Sequence, residues 1–446
     1  MASTAEQIAS NLNFGAFAKA TELKKRLWFT LGALIVYRLG TFIPIPGIDP
    51  VIISDIFEQQ SNGILGVFDA FAGGALSRMS IFALNVIPYI SAAIIMQLMT
   101  AISPSIEQLK KEGESGRKKI NQYTRYLTVA LAVVQAYGLS VGLESLSSSQ
   151  GAAVDNPGLF FRTSTVITIV GGTMFLMWLG EQITARGVGN GISLIIFAGI
   201  VAALPTALAS TLELGRTGAL SALFIIGFLV FAIAVITFIV FVERAQRRII
   251  VQYPKRQVGN RMFGGESSHI PLKLNTSGVI PIIFATSILL TPVSIAGFSG
   301  GGGGILNTIT AVLGRGQPLF FLLFAVLIIF FAFFYTAIVF NPEETADNLK
   351  KNGGFVPGIR PGKNTAEFFD YVLTRLTVVG AAYLTLVALL PEVLISRFSV
   401  PFFFGGTSLL IVVVVSLDTV AQIQSHLLAH QYEGLIRKAK LKGRRG

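Results

Sequence analysis

The chain has 446 residues, 52% of them apolar and only 13% charged, against about 25% charged in an ordinary globular protein. That balance excludes a water-soluble enzyme and indicates a polytopic membrane protein. The lack of cysteine excludes disulfides, thiolate catalysis and cysteine metal sites, so the net charge of +12 becomes a question of which loops hold it.

In chain order, Ile8, Leu12 and Phe17 stand at roughly helical spacing ahead of Lys24-Lys25-Arg26. They predict an interfacial helix over 1–26. No short apolar core with a small-residue cleavage site stands here, so no removable signal peptide is expected. Apolar runs of span length then fall at about 27–43, 80–101, 124–143, 161–181, 190–210, 218–242, 276–296, 318–340, 371–391 and 403–423. A spanning helix needs ~20 such residues. Ten spans put both termini on one side. Of the 35 Lys and Arg, 29 lie on that side, and only Arg78, Arg162, Arg216, Arg315 and Arg397 on the other. Arg38, inside the first span, is expected to snorkel outward. The positive-inside rule places both termini in the cytoplasm.

The stretch Ile64 to Thr100 breaks the pattern. Its opening piece, Ile64-Leu65-Gly66-Val67-Phe68-Asp69-Ala70-Phe71, is too short to cross a bilayer. Gly73-Gly74-Ala75-Leu76-Ser77-Arg78 follows as a flexible joint, before an apolar segment containing Pro88 and Gln97. Backbone that stops partway into a membrane is tolerated only inside protein or beside a water-filled cavity. A half-length segment joined to a full span therefore predicts a re-entrant element beside a passage.

Outward loops are mostly short; 297–305 is glycine-rich and reads as a linker. Two cytoplasmic loops, 243–275 and 341–371, exceed the usual ~4–6 residues. The first is basic and alternates through Arg248-Ile249-Ile250-Val251-Gln252-Tyr253, predicting a β-hairpin. The second carries Gly353-Gly354, Pro357-Gly358 and Pro361-Gly362 around Arg360, the mark of a folded, turn-rich loop. Both read as docking surfaces. Val86-Ile87-Pro88-Tyr89-Ile90 in span two echoes Val279-Ile280-Pro281-Ile282-Ile283 in span seven. These are the second spans of two five-helix halves that cross the membrane in opposite directions, as an inverted repeat requires. The expected organisation is an N-terminal half over 27–215 with the short piece at 64–72, a C-terminal half over 216–423, and a basic tail over 424–446.

Chemistry-bearing motifs are missing. Gly113-Glu114-Ser115-Gly116-Arg117-Lys118 lacks the phosphate-loop pattern, and Gly187-Val188-Gly189-Asn190-Gly191 opens a span rather than a βαβ unit. Both read as tight cytoplasmic turns. His426 and His430 lack a third ligand at metal-site spacing. No catalytic constellation, cofactor site or metal site is expected. Ionisable residues inside the spans, the usual marks of ion coupling, are scarce. That counts against a secondary transporter, although one for a small neutral solute stays open. The midplane carries aliphatic side chains instead, and a ring of them closes a passage by dewetting or by sealing around a chain.

Several long stretches are similar to the SecY family of protein-conducting channels: Phe42-Ile43-Pro44-Ile45-Pro46-Gly47-Ile48, Gly73 to Arg78, Lys111 to Arg117, Gly189-Asn190-Gly191-Ile192-Ser193, Asn341 to Asp347, Phe355 to Gly362 and Phe404-Gly405-Gly406-Thr407-Ser408. The resemblance implies an all-α fold of ten spans in two pseudo-symmetric inverted halves around a central pore, with a short re-entrant plug helix. It implies a pore ring of Val86, Ile90, Ile192, Ile196, Ile283 and Ile411. It further implies a plug and hinge at Ile64, Leu65, Val67, Phe68, Phe71, Gly73 and Gly74. Spans two, three, seven and eight match a lateral gate, with Pro88, Ser91, Gln97, Pro281 and Thr286 on it. Arg247, Arg248, Lys255, Arg256, Arg261 and Arg360 match the docking sites of the SecA motor ATPase and the ribosome. Implied companions are the SecE and SecG subunits, unfolded preproteins with signal sequences, the phospholipid membrane, and accessory Sec or insertase subunits. The implied location is the bacterial cytoplasmic membrane. With no nucleotide fold, transport energy must come from a motor, chain elongation or the proton-motive force. Pro88 and Pro281 are expected to keep the gate helices deformable.

Overall fold

The structure, a computed structural model, describes residues 20–442 apart from 61–68, 70–71, 146, 149–150, 219–220, 254–255, 259–260, 264–266, 299–316 and 399–405. Each of the ten apolar runs forms a helix: α1 (Thr21–Gly40), α3 (Ile87–Ile102), α5 (Glu114–Ser145), α6 (Leu159–Arg186), α7 (Gly191–Arg216), α8 (Ala222–Arg244), α9 (Ile280–Phe298), α10 (Pro318–Val339), α12 (Lys363–Phe398) and α13 (Gly406–Lys442). Shorter helices α2 (Pro50–Gln60), α4 (Pro104–Lys111) and α11 (Pro342–Lys351) lie between them. The interfacial helix expected over 1–26 falls mostly outside the described residues; its basic cluster belongs to α1. The linker at 297–305 lies almost wholly outside them too.

Three spans run past their apolar limits into the cytoplasm. Helix α5 starts at Glu114, α12 starts at Lys363 and α13 continues to Lys442. Lys, Arg, Glu and Gln are good helix formers, so apolarity marks only the bilayer portion of each rod. Span two errs the other way. Its helix begins at Ile87, and residues 73–86 form tight turns with positive φ at Met79 (42°) and Asn85 (48°). The turns bond within themselves, Met79 N to Leu76 O at 2.9 Å, Ala83 N to Ser80 O at 2.9 Å and Asn85 N to Phe82 O at 2.8 Å. They are largely buried by protein, the condition under which irregular backbone survives at membrane depth.

The two echoed stretches behave alike. Pro88 stands in the first turn of α3, and Pro281 is the second residue of α9. A first-turn proline lacks an N–H that would be unpaired anyway, so each starts a helix rather than kinking one. That corrects the expected mid-span flexibility. Helix α9 packs against α3 and α5 on one side and α10 on the other.

On the outward side, Asp49 accepts from Val51 N at 2.8 Å to start α2, an isolated bridge pairs Ile48 with Val154, and β1 (Ser147–Ser148) pairs antiparallel with β2 (Gly151–Ala152). On the cytoplasmic side, β3 (Gln246–Gln252) pairs antiparallel with β6 (Ser267–Lys273), placing Ile249 opposite Ile270. Strands β4 (Arg256–Val258) and β5 (Arg261–Phe263) form the tip. The predicted hairpin is thus present. Its buried face, Ile249, Val251 and Leu272, shares an apolar core with Leu349, Val356 and Phe369 from the second loop. Gln252 and Phe355 exchange backbone hydrogen bonds at 2.9 and 3.0 Å. The two cytoplasmic loops therefore form one body.

Candidate functional site

Two cavities meet end to end in the middle of the bundle. The larger, about 480 Å³, opens on the cytoplasmic side between α3, α5, α6, α7 and α9. Gln97, Asn121, Arg125, Glu181 and Asn190 line its polar wall. Arg125 donates to both Glu181 oxygens, at 3.1 and 2.6 Å. The smaller, about 20 Å³, lies on the outward side and is bounded by Asn85, Val86, Ile87, Thr286 and Ser287. Ile90, Ile196 and Ile283 line both. They form the constriction between the two spaces, one residue each from spans two, five and seven. Val86 borders only the outward pocket and Ile192 only the vestibule. Ile411, fully buried, lines neither cavity and sits in the surrounding apolar core.

Ile192 is aimed by a local device. The Asn190 side chain accepts from Ile192 N at 3.1 Å and Ser193 N at 3.4 Å, the cap that asparagine supplies at a helix start. Gly191 packs directly on the Gly180 backbone of α6. The glycine-rich turn at 187–191 is therefore the socket of span five.

Outward of the constriction lies the glycine joint. Ile64, Leu65, Val67, Phe68 and Phe71, expected to form the plug, are outside the described residues; Asp69 and 72–78 are within them. Asp69 Oδ1 accepts from Leu76 N at 3.0 Å and Ser77 N at 2.8 Å. Gly73 and Gly74 adopt φ of 67° and 81°. Arg38, expected to snorkel outward, turns inward and donates to the Gly73 carbonyl oxygen at 2.5 Å. A carbonyl at hand satisfies a guanidinium at membrane depth without a reach to the headgroups.

Of the residues expected on the gate, Gln97 lines the vestibule and Thr286 the outward pocket, where its hydroxyl bonds back to Ile282 O at 2.7 Å. Buried side-chain oxygens of Ser91 and Gln97 have no protein partner. Phe284, 5% exposed, meets Phe331 edge-to-face at 5.5 Å and Tyr335 at 6.5 Å, both on α10. Helix α9 is thus tied by rings to α10. Arg247, Arg248 and Arg360 are exposed on the cytoplasmic body. Lys255 and the side chains of Arg256 and Arg261 are outside the described residues.

Composition gave no sign of two groups. Asn275, 3% exposed, donates to Glu243 Oε1 at 2.7 Å and to Gly278 O at 3.1 Å. This pair holds the elbow where β6 turns into α9. Glu144 receives two bonds from Arg162, at 2.9 and 2.6 Å, clipping spans three and four at their outward ends. Pairings 18 and 32 residues apart leave no local pattern.

Residues 80–420 match the family model for SecY. The chain belongs to the SecY family. The SecY protein translocase subunit of Escherichia coli K12 is 58% identical to it over 424 residues, covering 95% of this chain and 96% of that one. Among solved structures, a SecY whose plug domain stabilises the closed state of the translocation channel and maintains a membrane seal superposes with TM-score 0.65. It is 19% identical and covers 91% of this chain and 92% of its own. Sec61 in the canine ribosome-channel complex from the endoplasmic reticulum gives TM-score 0.61 at 17% identity, covering 91% and 92%. The fold is therefore that of the SecY channels.

Proposed function

We infer that the chain is the central protein-conducting channel of a bacterial Sec translocase, a multi-pass protein of the cytoplasmic membrane. It passes unfolded polypeptides across and releases membrane helices sideways. Its partners are SecE and SecG, the SecA motor, the ribosome and preproteins carrying signal sequences. The observation that carries this reading is the apolar constriction of Ile90, Ile196 and Ile283 between a wide vestibule with one polar wall and a 20 Å³ pocket. An unfolded chain has no fixed chemistry, so its passage is best lined by groups that bind nothing tightly; aliphatic carbon does that and also excludes water.

Val86, Ile192 and Ile411 complete the pore ring in this proposal. The two halves, 27–215 and 216–423, part along the seam of α9 with α3 and α5, because the aromatic contacts hold α9 to α10. The joined cytoplasmic loops form one docking body with Arg247, Arg248 and Arg360 on its surface, and the chain itself catalyses no reaction. The test is reconstitution in vesicles with SecE, SecG, SecA, ATP and an unfolded precursor. Protease-protected precursor inside the vesicles supports the reading; none, with active motor and intact vesicles, refutes it.

A further inference from the structure

A glycine pair between a blocking segment and a span reads as a loose joint, yet here it is tied from three directions. Tyr37, fully buried on α1, donates its hydroxyl to the Ala72 carbonyl oxygen at 3.2 Å. Its neighbour Arg38 donates to the next carbonyl, that of Gly73. From the other flank, Gly73 presses on α7: a Cβ built there would lie 2.7 Å from Gly199 Cα. From within, Gly74 N donates to the Asp69 carbonyl at 3.0 Å, and the Asp69 carboxylate takes Leu76 N and Ser77 N. The glycines serve close approach and left-handed backbone as much as freedom.

The donors are held as firmly as the acceptors. The Tyr37 ring stacks on Phe82 at 6.2 Å, which fixes the ring, and its hydroxyl also meets the Asn85 side chain. The Arg38 and Arg78 guanidiniums both lie over the Phe42 ring, 5.1 and 4.3 Å from its centre. If the joint swung outward, a buried hydroxyl and a guanidinium would lose their carbonyls together, and a buried donor left unmade costs more than the bond contributed.

We propose that Tyr37 and Arg38 are positioning residues that latch the plug joint in the sealed state, and that channel opening must break both hydrogen bonds. This rests on the channel reading above. The latch makes opening a two-bond event. A signal sequence that parts the gate must supply that energy before the plug departs.

The test uses the chain in its complex with SecE and SecG in vesicles. Because the chain has no cysteine, Ala75→Cys at the fully buried joint reports opening by its reaction with an impermeant maleimide added outside. Tyr37→Phe removes one hydroxyl and keeps the ring stack; Arg38→Gln removes the charge, and Arg38→Lys keeps a charged donor. Tyr37→Phe should raise the labelling rate roughly fivefold, the equivalent of one net hydrogen bond. Arg38→Gln should raise it further, with Arg38→Lys between it and the parent, and resting ion conductance should rise in the same order. Precursor transport by the parent separates the two claims: if that fails, the channel reading fails. If it succeeds while folded Tyr37→Phe and Arg38→Gln leave labelling and conductance unchanged, the latch alone is overturned. An equal rise at a remote buried reporter, Ala388→Cys on α12, would mean general loosening and also overturn it.

Discussion

Removing one side chain from the constriction should turn a sealed channel into a leaking one. Ile196 of α7 is 4% exposed and borders both cavities. The vestibule measures about 480 Å³, whereas the pocket beyond it, about 20 Å³, is close to the smallest space that holds one water, ~10–15 Å³. A single layer of side chains therefore separates a wide space from a narrow one. Ile196→Ala deletes three carbons from that layer and joins the two. Such truncations cost ~2–5 kcal/mol in a closed core. Ile196 already borders a cavity, so the low end applies, about 2 kcal/mol, and the protein still folds with Tm lowered by a few degrees. In planar bilayers the resting conductance of Ile196→Ala channels should rise above the parent, and that of the double variant with Ile283→Ala should rise further. Parental conductance from folded alanine and glycine variants at Ile90, Ile196 and Ile283 would refute the assignment of the seal.

Asn275→Ala strips Glu243 of its amide partner and frees the elbow between β6 and α9, a loss of ~1.5–3 kcal/mol for a bond to a charged group. Motor binding to the cytoplasmic body should persist while precursor transport falls, as binding and transport assays run side by side would reveal. Phe284→Ala removes two edge-to-face contacts, ~0.5–1.5 kcal/mol each beyond their area. It should loosen α9 from α10 and lower Tm without raising resting conductance as much as a ring variant. Arg360→Glu reverses an exposed charge and should impair motor-driven export more than co-translational insertion. Equal loss in both assays would count against a motor contact there.

The bundle was legible because each span announces itself. Twenty apolar residues in a row have one stable fate in lipid, and runs such as Leu223–Phe241 need no tertiary context. The hairpin over 246–273 was legible for a similar reason, the period-two alternation around Ile249 and Val251. What escaped was structure that contradicts its own composition. Residues 80–86 are as apolar as the helix that follows, yet they turn. Their shape comes from contacts with distant residues: Ile45 N bonds to Met79 O at 2.9 Å and Ile81 N to Ile43 O at 3.0 Å. Arg38 misled for the converse reason. Snorkelling is the rule for a lone cation near a span end, and only the folded joint reveals a nearer acceptor in Gly73. Within the pore ring, composition could not separate Ile90, Ile196 and Ile283 from any other aliphatic; family motifs pointed to them, and the cavities on either side give that choice a physical basis.

Whether polypeptide passes through the constriction can be measured by cross-linking. The cysteine-free chain accepts single cysteines at Ile90, Ile196 and Ile283, and at Ile233, which is 64% exposed on the outer surface of α8. A precursor carrying one cysteine and a folded C-terminal block is stalled in transit by SecA and ATP, then oxidised. Disulfides from the three constriction positions and none from Ile233 are predicted. A stalled chain that joins to Ile233, or to none of the three, would contradict the account.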